Sequence, residues 1–265
     1  MLYFPQLSTG AVGQYPIQKR RLSRTVVNEA LGGARVKLPD PNASAVEWTL
    51  DFQTLSDNER DALAQLFGAV EGQLSDFTFL DPTDNLLLWS EKLDEAVWER
   101  NSLLQITAAI ADPSGGTAAS RVSNTSTAAL SIEQDVNGPG WFQYAFSVQA
   151  RSDQDQQLIL HRSTATQTQT QSASFAIGSA WQRILLSGKF TGTEESVIFG
   201  IEIAPQQSVD LFGIQAEAQP GASGYKKTFS KCGVYPVARF LDDALSITTD
   251  GPGQHSCRVR VHARA

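Results

Sequence analysis

Residues 46–82 read VEWTLDFQTLSDNERDALAQLFGAVEGQLSDFTFLDP, and this stretch decides the fold class. Val46, Trp48, Leu50 and Phe52 alternate with Glu47, Thr49, Asp51 and Gln53, the period of two that marks a half-buried strand. Ser56 followed three residues later by Glu59 has the form of a capping box, in which each side chain satisfies an orphan amide at a helix start. Ala62, Leu63, Leu66, Phe67 and Val70 then recur at helical spacing. Asp57, Glu59 and Asp61 suit the positive end of the helix dipole, and Gly72 is placed for a left-handed stop. The spacing predicts a helix over 56–70. Phe77-Thr78-Phe79-Leu80 follows as a short strand closed by Asp81-Pro82, so residues 1–85 read as strands around one helix.

At the other end of the chain, Val237 to Ala244 and Leu245 to Thr249 read as strands, followed by a turn at Asp250-Gly251-Pro252-Gly253. From Ser256 to Ala263, Cys257, Val259 and Val261 alternate with Arg258, Arg260 and His262. A terminal hairpin is too small to be a domain. It needs a partner sheet, and the strands before Asp81 are the evident one, which makes the middle of the chain an insertion.

That middle has a different texture. Ser, Thr, Ala and Gln dominate, and turn signals recur at Asp112-Pro113-Ser114-Gly115-Gly116 and Asn137-Gly138-Pro139-Gly140. Short candidate strands run from Trp141 to Ala150, Gln157 to Arg162, Ser174 to Ile177, Trp181 to Phe190, Val197 to Ile203 and Leu211 to Ala218, a number that suits two packed sheets. The tract from Ser163 to Ser174 carries Thr on one face and Gln on the other, as a two-sided polar strand or a loop would. The expected organisation is a body from 1–85 and 233–265, interrupted by a β-sandwich at 86–232.

Composition excludes several classes. With 265 residues, 41% hydrophobic and 18% charged, the chain is long enough to bury a core without metal or disulfide staples. A net charge of -7 offers no general footprint for a phosphate backbone, so nucleic acid is not an expected partner. No apolar run is long enough to span a membrane, and the start, MLYFPQLSTGAVGQ, lacks the order of a secretory signal. Cys232 and Cys257, without a CxxC pair, are expected to be reduced thiols.

Catalytic constellations are poorly supported. Asp250, His255 and Ser256 lie too close together in a hairpin turn to be a hydrolase triad, and no GxSxG elbow occurs. His161 stands alone and the three histidines have no metal-ligand spacing. Adjacent acidic pairs, Glu194-Glu195 and Asp242-Asp243, point to opposite faces of an extended chain, unlike the converging carboxylates of a glycosidase. No phosphate-binding glycine motif is present. The expectation is a protein without catalytic residues, metal or cofactor. Two features are less bland. Lys19, Arg20, Arg21 and Arg24 form a basic cluster in an acidic chain, suited to a subunit interface or to a solvated strand edge. Of five tryptophans, Trp48, Trp89, Trp98 and Trp181 have core-like neighbours, whereas Trp141 follows a glycine turn and is the candidate platform for a sugar ring.

The order Trp48-Thr-Leu-Asp-Phe52, Leu55-Ser-Asp-Asn-Glu59 with its helix, Gly72, and Phe77-Thr-Phe-Leu-Asp81-Pro82 resembles the body of distal tail and minor tail-tip proteins of long-tailed bacteriophages. Arg239-Phe-Leu-Asp-Asp-Ala-Leu245 and Cys257 to Ala263 look like the closing strands of that fold. Asn85-Leu-Leu-Leu-Trp89-Ser-Glu91, Trp98, Gln215-Ala-Glu217 and Ala222-Ser-Gly-Tyr225-Lys-Lys-Thr228 resemble jelly-roll, carbohydrate-binding-like modules of phage virion proteins. The resemblance implies a mainly β fold: a β-sandwich or open-barrel body with one flanking helix, interrupted by a jelly-roll insertion. It also implies a virion protein assembled in the bacterial cytoplasm, forming a ring with copies of itself, next to tail tube and tail hub proteins, with host-surface glycan as a further partner. The competing reading is a secreted or cell-surface carbohydrate-binding module.

Overall fold

In the computed structural model, which describes residues 1–264 apart from the side chain of Pro41, the chain is mainly β with one helix. Strand β1 (Gln18–Glu29) pairs antiparallel with the 21-residue β2 (Arg35–Leu55). The alternating residues of β2 do what their period dictates: Val46, Trp48, Leu50 and Phe52 are all buried. Helix α1 (Asp57–Ala69) starts at Ser56 with the full capping box: the Glu59 amide donates to Ser56 Oγ, and the Ser56 amide donates to Glu59 Oε2 at 2.8 Å. Leu63, Leu66 and Val70 are its buried face. The stop begins one residue earlier than expected: Glu71, directly after the Val70 cap, is already left-handed at φ +53°, and Gly72 follows at φ +67° with its amide reaching back to Phe67 C=O. Strand β3 (Phe77–Leu80) is buried along its whole length.

The chain then enters a second unit. Strands β4 (Glu99–Arg100), β5 (Leu104–Ile110), β6 (Ala119–Asn124), β7 (Leu130–Asn137), β8 (Tyr144–Arg151), β9 (Gln156–Thr164), β10 (Thr170–Ile177), β11 (Gln182–Gly188), β12 (Ser196–Ile203) and β13 (Ser208–Glu217) form two five-stranded sheets. Their orders are β10-β9-β12-β7-β4 and β11-β8-β13-β6-β5. Core-facing Tyr144, Phe146 and Val148 of β8 and Leu158, Leu160, Phe199 and Ile201 of the other sheet are fully buried, with Phe146 and Phe199 rings 5.3 Å apart. This is the jelly-roll sandwich. The sequence expectations missed β5, β6 and β7, because small and polar residues occupy most of their positions and Leu104, Val122, Ile132 and Val136 are the large apolar residues that mark the buried side. The polar tract at 163–174 is a hairpin: β9 ends at Thr164, and Gln171 of β10 turns inward to hold Arg162.

Strands β14 (Val234–Phe240), β15 (Ile247–Gly251) and β16 (Gln254–Arg264) return to the first unit. Its six-stranded sheet has the order β1-β2-β16-β14-β3, with β15 also paired to β16. Cys257, Val259 and Val261 point into the core while Arg258 and Arg260 stay exposed. The core is aromatic. Phe4 contacts Phe52, Phe77, Phe79 and Phe240 at ring separations of 5.4–6.4 Å, and Phe67 ties the helix to Phe240 at 5.1 Å. Residue contacts assign Met1–Ser8, Val12–Phe79 and the chain from Tyr235 onward to this body, and Thr9–Ala11 with Leu80–Val234 to the insertion. The chain divides after Phe79 and after Val234, where the sequence suggested after 85 and after 232, because Asp81 and Asn85 bond within the insertion. The Asp81 amide donates to Gly233 C=O at 2.8 Å, and the Gly233 amide to Asn85 C=O at 2.7 Å. Cys232 and Cys257 are free, and burial pushes the Cys257 thiol up to about 11.

Burial pushes the Glu59 carboxyl up, but hydrogen bonds from Ser56 and Ser8 outweigh it and hold the group at about 2. A carboxyl held low in the folded state contributes stability that is complete above its unfolded value and fades as pH falls through the folded one. Stability of the body should therefore decline between about pH 4.5 and pH 2, and Glu59→Gln should flatten that decline while lowering stability near neutrality by about 1 kcal/mol; urea unfolding at a series of pH values measures both. A chain of residues 80–234 alone should unfold in one cooperative thermal transition, since both of its sheets close without the helix; calorimetry reads this directly.

Candidate functional site

The residues singled out in the sequence divide between the two units. Trp141 belongs to the insertion, follows Gly140, is 38% exposed, and meets Phe142 edge-on at 6.2 Å. Lys19, Arg20, Arg21 and Arg24 belong to β1 of the body. The Lys19 amino group lies 5.8 Å from the Trp48 ring centre, Arg20 pairs with Glu47, Arg24 pairs with Asp40, and Arg21 is exposed. In the C-terminal hairpin, His255 engages neither Asp250 nor Ser256. It is 2% exposed, with Nε2 2.9 Å from Asp57 and Nδ1 3.1 Å from Thr249, and so ties the helix start to β15 and β16. His161 sits against Ser131 and Glu133. Among the described residues no group of three or more His, Cys, Asp or Glu converges as a metal site.

Trp181 departs from its core-like neighbours. It immediately precedes β11, is only half-buried, and the Arg151 guanidinium lies 4.8 Å over its ring. Alternation along β8 explains this: Tyr144, Phe146, Val148 and Ala150 face the core, so Ala145, Ser147, Gln149 and Arg151 face outward. Cross-strand register then assembles rows on the outer face of this sheet. Arg151 lies opposite Asp210, and Asp210 opposite Arg121, while Gln149 lies between Arg183 and Phe212. Asp210 is 1% exposed and receives Arg121 through Nε at 2.6 Å and Nη2 at 3.1 Å, and Arg151 through Nε at 3.0 Å. Arg121 also pairs with Asp153 at 3.0 Å, and the Asp210 hydrogen bond holds it firmly protonated.

Half of this outer face is covered. Ala145 and Ser147 point outward yet are fully buried, on the side where the segment 219–226 is tied to the sheet through Ser187, which donates to Pro220 C=O. Glu217, itself buried, anchors that segment by accepting from Gln215, Gln219, Ser223 and the Lys226 amino group. Arg183 adds a tie by donating to Ser223 C=O and Ser147. Tyr225 packs on Phe212 at 5.2 Å and donates to Glu91, with Ser90 Oγ 2.7 Å from its hydroxyl. Its ring would press on a Cβ at Gly213, only 3.1 Å away, and Gly213 sits at φ +64° where β13 slips register against β8. What remains open is a strip carrying Trp181, Arg151, Gln149, Phe212 and Arg183. At the β5–β6 edge a hollow of about 210 Å³ is lined by Ala108, Ala109, Ala119, Lys92, Lys227 and Phe229. Trp89 is held there at φ +49°, under the Lys92 amino group and edge-on to Phe229. A tryptophan in this conformation carries strain of about 1–3 kcal/mol that the surrounding packing must hold.

Flat rings beside fixed guanidinium and amide donors suit a polyhydroxylated ring: its C–H faces stack on aromatics and its hydroxyls accept and donate at the edges. The sequence expectation put the platform at Trp141; the outer strip supplies a second tryptophan with polar partners already in place. Asp210→Asn should destabilise the chain by about 2 kcal/mol, since the two arginines lose a buried carboxylate; urea unfolding measures it. Trp181→Ala, on the open strip, should leave stability within about 0.5 kcal/mol.

No protein-family model matches the chain, and no curated protein matches it by sequence. Among solved structures, the chain is similar to the enzymatically active domain of bacteriophage CBA120 tailspike protein 4, with 12% identity over 52% of this chain and 22% of that one, TM-score 0.41. It is similar to the CBM22-1 xylan-binding domain of Paenibacillus barcinonensis Xyn10C, with 12% identity over 54% and 99%, TM-score 0.40. It is also similar to the CBM22-1–GH10 modules of a Clostridium thermocellum xylanase complexed with xylohexaose, with 14% identity over 51% and 28%, TM-score 0.41. The chain thus spans under a third of the tailspike and xylanase chains.

Proposed function

We propose that this chain is a non-catalytic structural protein of a phage or phage-derived tail tip, whose body assembles with further copies beside tail tube and hub proteins and whose insertion takes host-surface glycan on its open strip. The glycan half of the reading is carried by one observation: Trp181 lies under Arg151, which Asp210 holds in place, so the ring and its polar neighbour are fixed before any ligand arrives. Preorganisation of this kind limits the entropy lost on binding. The tail-tip half is supported by the sequence resemblance, from Trp48 to Pro82 and from Arg239 to Ala263. A single strip of this size binds weakly, with a Kd on the order of 1 mM, and useful adhesion comes from several copies presented together.

The competing reading, a free carbohydrate-binding module, draws on the same strip and has no use for the body. A glycan array probed with the full chain, followed by titration of each hit, tests the proposal. Trp181→Ala should weaken binding at least tenfold, about 1.4 kcal/mol, with Trp141→Ala distinguishing the loop-tip platform from the strip. An empty array, or hits indifferent to both substitutions, overturns glycan binding. Immunolabelling of assembled tails separates the two readings: label at the tip supports the tail protein, and label absent from tails rejects it.

A further inference from the structure

Among the described residues, nothing packs on either face of the outer part of the β1–β2 hairpin, which is a ribbon. Every residue from Ser23 to Pro39 is exposed. The two strands continue in register from Arg24 opposite Asp40 to Glu29 opposite Arg35, and close through a turn in which the Gly33 amide donates to Ala30 C=O. A two-stranded ribbon on its own is marginal in water. This one also exposes apolar side chains: Val26, Val27, Leu31, Val36 and Leu38 are five of the fourteen large apolar residues found exposed among the described residues. Residues directly opposite share a face, so Val26 and Leu38, with Val36 diagonal to them, form an apolar stripe on one side. The opposite face carries Val27, Lys37, Arg35 and Glu29.

Charge singles out the occupant. Residues 18–45 hold six basic and two acidic residues, net +4, whereas the remainder of the chain holds 15 basic and 26 acidic, net -11. Arg20, Arg24 and Arg35 are paired locally with Glu47, Asp40 and Glu29. Arg21 and Lys37 make no ion pair among the described residues. The ribbon is thus the cationic, apolar part of a chain whose remaining sequence is net acidic.

We propose that the ribbon of residues 18–45 docks on the acidic surface of a second copy of this chain, with Val26, Val36 and Leu38 buried at the contact and Arg21 and Lys37 pairing with carboxylates of the neighbour. Because the patch it seeks differs from the ribbon itself, the contact is head-to-tail, and repetition closes a ring or extends a filament. The contact gives a physical route to the multi-copy body of the proposed function and rests on that part of the reading, while glycan binding is independent of it.

The experiment is sedimentation velocity of the full chain across a wide concentration range at low and high salt. Wild type should associate with rising concentration, and more weakly at high salt, since exposed charges are screened. Arg21→Glu with Lys37→Glu should weaken association at least tenfold, and Val26→Ser with Leu38→Ser should do the same with little dependence on salt. Both variants should keep the wild-type melting transition, because every altered side chain is exposed. A wild-type chain that stays monomeric at low salt, or association unchanged by both variants, overturns the docking. A monomeric chain that still binds its array hits would reject the ribbon contact and leave the glycan reading standing; an associating chain with an empty array would do the reverse.

Discussion

The architecture depends on a clasp of three backbone segments at the mouth of the insertion. Asp81 donates to Gly233, Gly233 donates to Asn85, and the Asn85 side chain, fully buried, completes the join. Its Nδ2 donates to Ile214 and Lys226 carbonyls, and its Oδ1 accepts the amides of Leu87 and Ala216. A buried amide with its bonds filled is stable in its place; with one partner removed, it becomes a cost. The clasp keeps the entering and leaving chains together, and the body meets that requirement, because β3 and β14 are neighbours in its sheet. An insertion of this size therefore leaves the register of β2 and β16 intact.

The same economy of partners shapes the outer face of the insertion. Asp210, Glu217 and Asn85 each satisfy several donors at once, and each fixes a different piece: the arginine row, the covering segment and the chain ends. Arg162 shows the opposite arrangement. It is fully buried with no carboxylate partner, held by Gln171 and the Gly188 carbonyl and lying 4.6 Å over the Phe190 ring, and burial lowers it to about 10.

Legibility in the sequence followed the strength of local signals. The capping box at Ser56 and Glu59, the alternation at Val46–Phe52 and the alternation at Cys257–Val261 each specify one element without help from distant residues, and each appears in the structure. Strands β5 to β7 were not legible because small and polar residues fill most of their positions, and pairing with one another and with β12 and β13 makes strands of them. The outer strip was hidden for a related reason. Trp181 has apolar neighbours in sequence, and its orientation is set by Arg151, 30 positions away, through strand register. Asp210 and Gly213 carry no local motif at all. The ribbon's basic residues were visible as a cluster, but not the isolation of the strands that bear them, since exposure of both faces is a property of what fails to pack there.

Neighbouring exit strands have a consequence for how such a chain changes over time. The body presents two adjacent strand ends, and anything whose own termini are clasped together can be joined to them without disturbing the aromatic core around Phe4. Recombination that trades one closed module for another between Leu80 and Val234 would replace over half of the chain while conserving the fold of the body. The two units can then diversify at different rates within a single gene.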